Sequence, residues 1–330
     1  MRIKLIEEFL NFNKLGHAAR LPLPQDASFR RYERIVYKDK SYILMDAPPA
    51  KESTKEFAII DGLLRSMGLS APQIYAHDEK HGLMLLEDFG DLSFNKFLSS
   101  TDANTAIEYY RLGAELLTSL QSHPISIELP TYNWDLYKRE LEQFTEYYVP
   151  VILGDKLSSQ ASADFYGIWQ DLLAQYIKLE QVLVLRDYHA DNIHILPTRQ
   201  GVSKLGIIDF QDAVLGSPAY DLVSLLEDAR RKVSEAETVA ALSSYLREKN
   251  GDYQTQFRAE YVLLGAQRNL KILGIFSRKA YLEDRKNYAA FLPTVLGYIR
   301  GNFRSPLLNP LADWFKQVGL ARDLRLEVIY

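Results

Sequence analysis

Leu185-Arg186-Asp187-Tyr188-His189-Ala190-Asp191-Asn192, followed by Ile207-Ile208-Asp209-Phe210, is the part of the chain that decides its fold. An acid closes an apolar run, and an asparagine comes five positions later. A second acid closes another apolar run about seventeen positions beyond that. Taken singly, Asp187, Asp191 and Asn192 read as ordinary turn residues. Taken together they match what phosphoryl transfer needs: a base beside the attacking hydroxyl, and hard oxygen ligands for Mg²⁺ on a triphosphate. Asp187 suits the base, and the Asn192 amide oxygen and the Asp209 carboxylate suit the metal.

Working outward, the site stretch holds short β-branched runs at 182–185, 193–196 and 205–208, separated by polar loops. They predict a small sheet with functional loop ends. Around it, helical periodicity dominates: about 102–122, 134–149, 158–180, 235–249, 254–277 and 280–300. Upstream the character differs. An amphipathic helix is expected over 1–13, with Ile3, Ile6, Phe9 and Leu10 on one face. Strands follow at 31–37, 41–45, 73–76 and 83–87, with a helix over 54–67 that ends at Gly68. The fold class is therefore α+β and bilobed: a small sheet-plus-helix lobe over 1–88 for the nucleotide, and a mainly helical lobe over 89–330 for catalysis and acceptor binding.

Composition agrees. The 330 residues carry 39 Lys+Arg against 43 Asp+Glu, so no broad basic face for nucleic acid is expected. There is no cysteine, which excludes disulfides, thiolate metal sites and cysteine nucleophiles. No apolar run of membrane-spanning length occurs, and Glu7 and Glu8 interrupt the N-terminal one, so no signal peptide is read there. The expectation is a cytoplasmic monomer with a small-molecule partner.

The chain resembles the aminoglycoside phosphotransferase-like family, small-molecule relatives of the protein kinases, over nearly its whole length. Several stretches are similar to one branch: 44–49 (LMDAPP), 86–90 (LEDFG), 185–192 (LRDYHADN), 209–213 (DFQDA), 216–222 (GSPAYDL) and 265–271 (GAQRNLK). That branch phosphorylates the anomeric hydroxyl of N-acetylmuramate and N-acetylglucosamine in cell-wall recycling. The resemblance implies ATP and Mg²⁺ as cofactors, Asp187 as catalytic base, and Asn192 and Asp209 as metal ligands. It implies that 86–89, with Glu87, Asp88 and Phe89, is the hinge that meets adenine. Asp221 would brace the catalytic loop from a helix that Ser217 caps and Pro218 begins.

Three departures stand out. No glycine-rich phosphate loop occurs, since no glycine lies between Gly16 and Gly62. The candidate loop is 25–30, with the Ser28 hydroxyl and the Arg30 charge offered to phosphate. The strand-three lysine of kinases falls on Met45, so another cation or the metal must substitute. Glu56 fits a capping box with Ser53 better than a lysine partner.

For the acceptor, Tyr188 and His189 on the loop, and Glu140 and Arg268 on helices, are the candidates. Arg268 is suited to gripping a carboxylate. Other readings are a kinase for an aminoglycoside, choline or homoserine, a non-catalytic nucleotide-binding regulator, and a metallohydrolase built on Asp187-x-His189. The last lacks a third metal ligand.

Overall fold

The computed structural model describes residues 2–24, 29–322 and 324. In chain order the elements are α1 (Arg2–Phe12), β1 (Ala19–Pro22), β2 (Arg31–Tyr37), β3 (Lys40–Asp46), α2 (Lys55–Ser66), β4 (Ile74–Asp78), β5 (Leu83–Glu87), α3 (Phe94–Leu98) and α4 (Ala103–Gln121). There follow α5 (Trp134–Gln143), α6 (Val149–Leu153), α7 (Ser159–Tyr176), β6 (Val182–Val184), β7 (Ile193–Ile195), β8 (Leu205–Ile207), β9 (Val214–Gly216) and α8 (Ala219–Leu226). The chain continues through α9 (Glu235–Leu246), α10 (Gly251–Ser277), α11 (Leu292–Asn302) and α12 (Asn309–Gln317). An antiparallel sheet in the N-terminal region and a mainly helical remainder give the α+β class.

The chain groups into two compact units. The first runs to Ser100 and also takes in Asp191–Asp212; the second is Thr101–Ala190 with the chain from Ala213 onward. Thus 89–100 and 191–212 group with the residues that the sequence reading places before 88. The backbone shows why. Ile207 N–H donates to Ser70 O at 2.8 Å, and bridges join Ser70 to Gly206 and Ser93 to His194.

In the first unit the sheet order is β1-β2-β3-β5-β4, every neighbour antiparallel. Strand alternation gives it two different faces. Ile35, Leu44, Leu83 and Leu85 pack against Ile6, Phe9 and Leu10 of α1, each burial contributing about 1.5–3 kcal/mol. Ile3, expected on that face, is 67% exposed, because the buried stripe starts only at Ile6. The opposite face carries Tyr32, Arg34, Ile43 and Leu86. Helix α2 buries Phe57, Ile60, Leu63 and Leu64 and is followed by Gly68 at φ 76°, the left-handed conformation that closes helices. Its cap lies one residue beyond the expected Ser53. Thr54 is the N-cap, while the Ser53 hydroxyl accepts the Lys55 N–H at 3.2 Å. The Glu56 carboxyl, hydrogen-bonded to Ser53, is held below its usual range.

The three β-branched runs do not form one sheet. β7 pairs with β8 in the first unit, and β6 pairs with β9 in the second. Runs of three residues carry too little pattern to choose a partner.

In the second unit, α10 is the central helix, packed by α5, α8 and α11. Gly274 lets it approach the end of α5 closely: a Cβ there would lie 2.0 Å from Gln143 O. The helix expected over 134–149 is interrupted by a π-helical turn, Phe144–Tyr148. The one expected over 280–300 is broken too. α11 starts only at Leu292, with Pro293 in its first turn, a place where the missing N–H costs nothing. Among the described residues, no helix is long and apolar enough to cross a membrane.

Candidate functional site

The face of the first unit's sheet opposite α1 opens on a cavity of about 710 Å³. Tyr32 and Arg34 of β2, Ile43 of β3 and Leu86 of β5 form its wall. Glu87, Asp88, Phe89, Asn192, Asp209 and Arg30 line it as well. A volume of this size suits a nucleotide-sized ligand. The 87–89 segment is fixed by its own contacts. Glu87 N–H donates to Gln73 O at 2.8 Å, and the Glu87 carboxylate pairs with Arg199. Asp88 is held by Arg34 at 2.6 and 3.1 Å; burial works against its ionisation, but Arg34 and the Gly90 N–H more than offset this, leaving it below the usual range. The Phe89 ring lies under the Arg199 guanidinium and beside Gly206, where a Cβ would come within 2.7 Å of it. The side chains of Glu87 and Asp88 are thus engaged by arginines, and the Phe89 ring is the apolar surface they leave to the cavity. Ser28 lies outside the described residues.

Asn192 and Asp209 meet in the same unit, with Asn192 Nδ2 3.5 Å from Asp209 Oδ2. The Ile208 N–H donates to Asn192 O at 3.0 Å, which ties the two segments together. Asp209 sits at φ 60°, a conformation that costs a non-glycine residue energy and recurs at functional positions. Its carboxylate is about half exposed. The donor set fits Mg²⁺: one carboxylate and one amide oxygen, both hard. Mg²⁺ characteristically takes one or two such protein groups and completes its shell with phosphate and water. Among the described residues no group of three His, Cys, Asp or Glu is placed to hold an ion, so the protein offers this partial shell and not a closed cage.

Asp187 belongs to the second unit, on the loop after β6. Burial pushes its carboxyl up, but Lys271, His189, Arg268 and Arg186 outweigh that and leave it below the usual range. It is therefore ionised near neutrality, as a proton acceptor must be. The loop itself is braced. The Leu185 N–H donates to Asp221 Oδ2 at 2.7 Å and the Arg186 N–H to Oδ1 at 2.9 Å. This holds Arg186 at φ 71°. Asp221 lies in the first turn of α8. Pro218 is the N-cap there, one residue beyond the expected Ser217, whose hydroxyl still accepts the Ala219 N–H at 3.2 Å.

The four acceptor candidates are buried. Tyr188 donates its hydroxyl to Gly113 O at 3.0 Å and is 1% exposed, so it packs the core. His189 is 7% exposed, and burial drives its imidazole well below the usual range. Arg268 is 4% exposed and donates to Ser224 Oγ at 2.8 Å. Glu140 accepts from Arg186 at 2.7 Å, Lys271 at 2.8 Å, Gln267 at 3.1 Å and the Tyr132 hydroxyl. Those donors occupy its lone pairs. Glu140 thus fixes two cations, one of them next to Asp187 in sequence, the other acting on its charge.

Sequence reasoning passed over Lys271, Arg34 and Glu52 as site residues. Lys271 stands in the quoted 265–271 stretch, where its spacing from Arg268 was the available signal. Arg34 and Glu52 carried none, because their partners Asp88 and Arg30 lie far away in sequence.

Comparison with known proteins extends this geometry. A family profile described as Phosphotransferase enzyme family matches residues 20–256. An N-acetylmuramate/N-acetylglucosamine kinase of Caulobacter vibrioides is 33% identical, covering 93% of this chain and 94% of that protein. One from Pseudomonas putida is also 33% identical, over 83% of this chain and 80% of its own. Among solved structures, the ethanolamine kinase of Plasmodium vivax matches with TM-score 0.64 and 12% identity over 88% of this chain and 84% of that one. An ADP-bound aminoglycoside phosphotransferase matches with TM-score 0.61 and 15% identity over 90% and 98%. At these identities the structures speak to the fold alone, which is protein-kinase-like.

Proposed function

The chain belongs to the phosphotransferase enzyme family, and from that premise we propose that it transfers the γ-phosphoryl group of ATP to the anomeric hydroxyl of an amino sugar, N-acetylmuramate or N-acetylglucosamine. The observation that supports phosphoryl transfer is the meeting of the Asn192 amide and the Asp209 carboxylate at the wall of a nucleotide-sized cavity. The choice of acceptor leans on the relatives that bear this activity in their names.

The cavity wall at 86–89 receives the adenine. Asn192 and Asp209 would hold Mg²⁺, which neutralises charge on the phosphates. Asp187 takes the proton of the C1 hydroxyl as its oxygen bonds the γ-phosphorus, and ADP leaves with the bond to its β-phosphate oxygen broken. Arg186, Lys271 and Arg268 keep Asp187 ionised, with Glu140 and Asp221 as positioning residues. In this reading the protein works in the cytoplasm, returning cell-wall sugars to metabolism.

The test is phosphate transfer from Mg²⁺-ATP to N-acetylmuramate, N-acetylglucosamine, kanamycin and choline, with the phosphorylated carbon located by NMR. A phosphate on C1 of either amino sugar is expected. Transfer only to kanamycin or choline moves the chain to another branch of the same chemistry. ATP binding without transfer to any acceptor makes it a nucleotide-binding regulator.

A further inference from the structure

We propose that Arg30, held by Glu52, supplies the phosphate-gripping cation that kinase-like folds place on β3, where this chain has Met45. The inference rests on the nucleotide reading of the cavity and assigns its missing charge.

The sheet register makes the exchange possible. Tyr32 pairs with Met45, and Arg34 with Ile43. Pairing residues share a face, and alternation repeats every second position. Arg30, Tyr32 and Arg34 all line the cavity. Met45 is on the same face but is 1% exposed and apolar. The cation has therefore moved from β3 to the start of the neighbouring strand and stays on the same side of the sheet.

The carboxylate that steadies it has moved too. In protein kinases the β3 lysine pairs with a glutamate of the following helix. Here the α2 glutamate, Glu56, bonds Ser53 instead. Glu52, in the loop before α2, lies 3.2 Å from the Arg30 guanidinium. It also accepts the Phe29 N–H at 3.3 Å, so one carboxylate fixes both the side chain and the adjoining backbone. The Arg30 side chain is only 10% exposed, and its Nη1 lies 3.9 Å from Asp209 Oδ1. A guanidinium beside the metal-binding carboxylate is where phosphate oxygens would arrive, and its planar fork suits them. Arg34, the other arginine of the cavity wall, is committed to Asp88 and Asp91.

The experiment is calorimetric titration of the purified chain with Mg²⁺-ATP and with adenosine, which shares the base and sugar but has no phosphate. Arg30→Gln is expected to weaken ATP binding roughly tenfold to a hundredfold and to leave adenosine binding unchanged. Arg30→Lys should recover part of the loss. Glu52→Gln should fall between wild type and Arg30→Gln for ATP, again without effect on adenosine. Unchanged ATP affinity in Arg30→Gln, or an equal loss for adenosine, overturns the assignment of Arg30. A wild-type chain that binds neither ligand overturns the nucleotide reading itself, and this inference with it.

Discussion

Asp221 Oδ1 accepts the backbone N–H of Arg186 at 2.9 Å, and it does so from a fully buried position. Its other oxygen takes the Leu185 N–H, so a single side chain satisfies two successive amides at the start of the loop that carries Asp187. Asp221→Ala leaves both donors unpaired. Each unmet buried N–H costs about 1–3 kcal/mol, so unfolding in denaturant should show a loss of about 2–6 kcal/mol. Turnover should fall as well, because Arg186 loses what keeps it in its left-handed conformation. Asp221→Asn retains one acceptor and should lie between. Wild-type stability and rate in the alanine variant would remove Asp221 from any role in the loop.

Asp187→Asn removes the carboxylate to which we assign proton acceptance without changing shape. A drop in kcat of roughly 100- to 10,000-fold is expected, with Mg²⁺-ATP affinity held near wild type. The pH profile adds a check. The folded-state carboxyl lies below its ordinary value, so the ionised form is favoured and the activity it supports is lost as pH falls. The acid limb of kcat should therefore sit below the ordinary aspartate value of about 3.9. A limb near neutrality would assign the essential base to another group.

Glu140 is the counter-charge of two part-buried cations, Arg186 and Lys271. Burial alone would raise its carboxyl, but Lys271 and Arg186 reverse that and bring it to about 2. Glu140→Gln strands positive charge in the interior, at a cost of about 3–5 kcal/mol. The loss should appear in thermal unfolding even without substrate. A variant as stable as wild type would mean that the cations are neutralised elsewhere.

Asp61, on the buried side of α2, has its carboxyl pushed up to about 7 by burial, with Arg65 only partly offsetting it and Glu87 adding to it. Its folded value exceeds the unfolded one, so the folded state binds the extra proton. Stability on this account falls as pH rises from the unfolded value to about 7. Asp61→Asn should raise stability by up to about 4 kcal/mol at pH 8 and by little near pH 4. Equal effects at both pH values would show that the group titrates normally.

The sequence made placement legible where the residues concerned lie near one another in the chain. Asn192 and Asp209, singled out by spacing, do meet in the structure, and α2 shows in its apolar period and Gly68. It was silent where the partner is remote. Tyr188 looks like a loop residue until its hydroxyl is found on Gly113, 75 positions away. Glu140 looks available to a sugar until Lys271, 131 positions away, is seen to hold it. The three short runs at 182–208 were grouped as one sheet because length-three strands say nothing about pairing. Capping was misjudged by one residue at both Ser53 and Ser217, since Ser, Thr and Pro all suit the start of a helix.

The first unit is assembled from two separated pieces of chain, one ending at Ser100 and the other spanning Asp191–Asp212. During synthesis its sheet emerges early, yet the hairpin that carries Asn192 and Asp209 follows only after some ninety further residues of the other unit have been made. The nascent N-terminal piece must wait with Ser70 lacking its strand neighbour, exposed to wrong partners on the ribosome. A fragment stopped at residue 100 would have the sheet wall of the cavity without Asn192 and Asp209, the groups proposed to hold the metal.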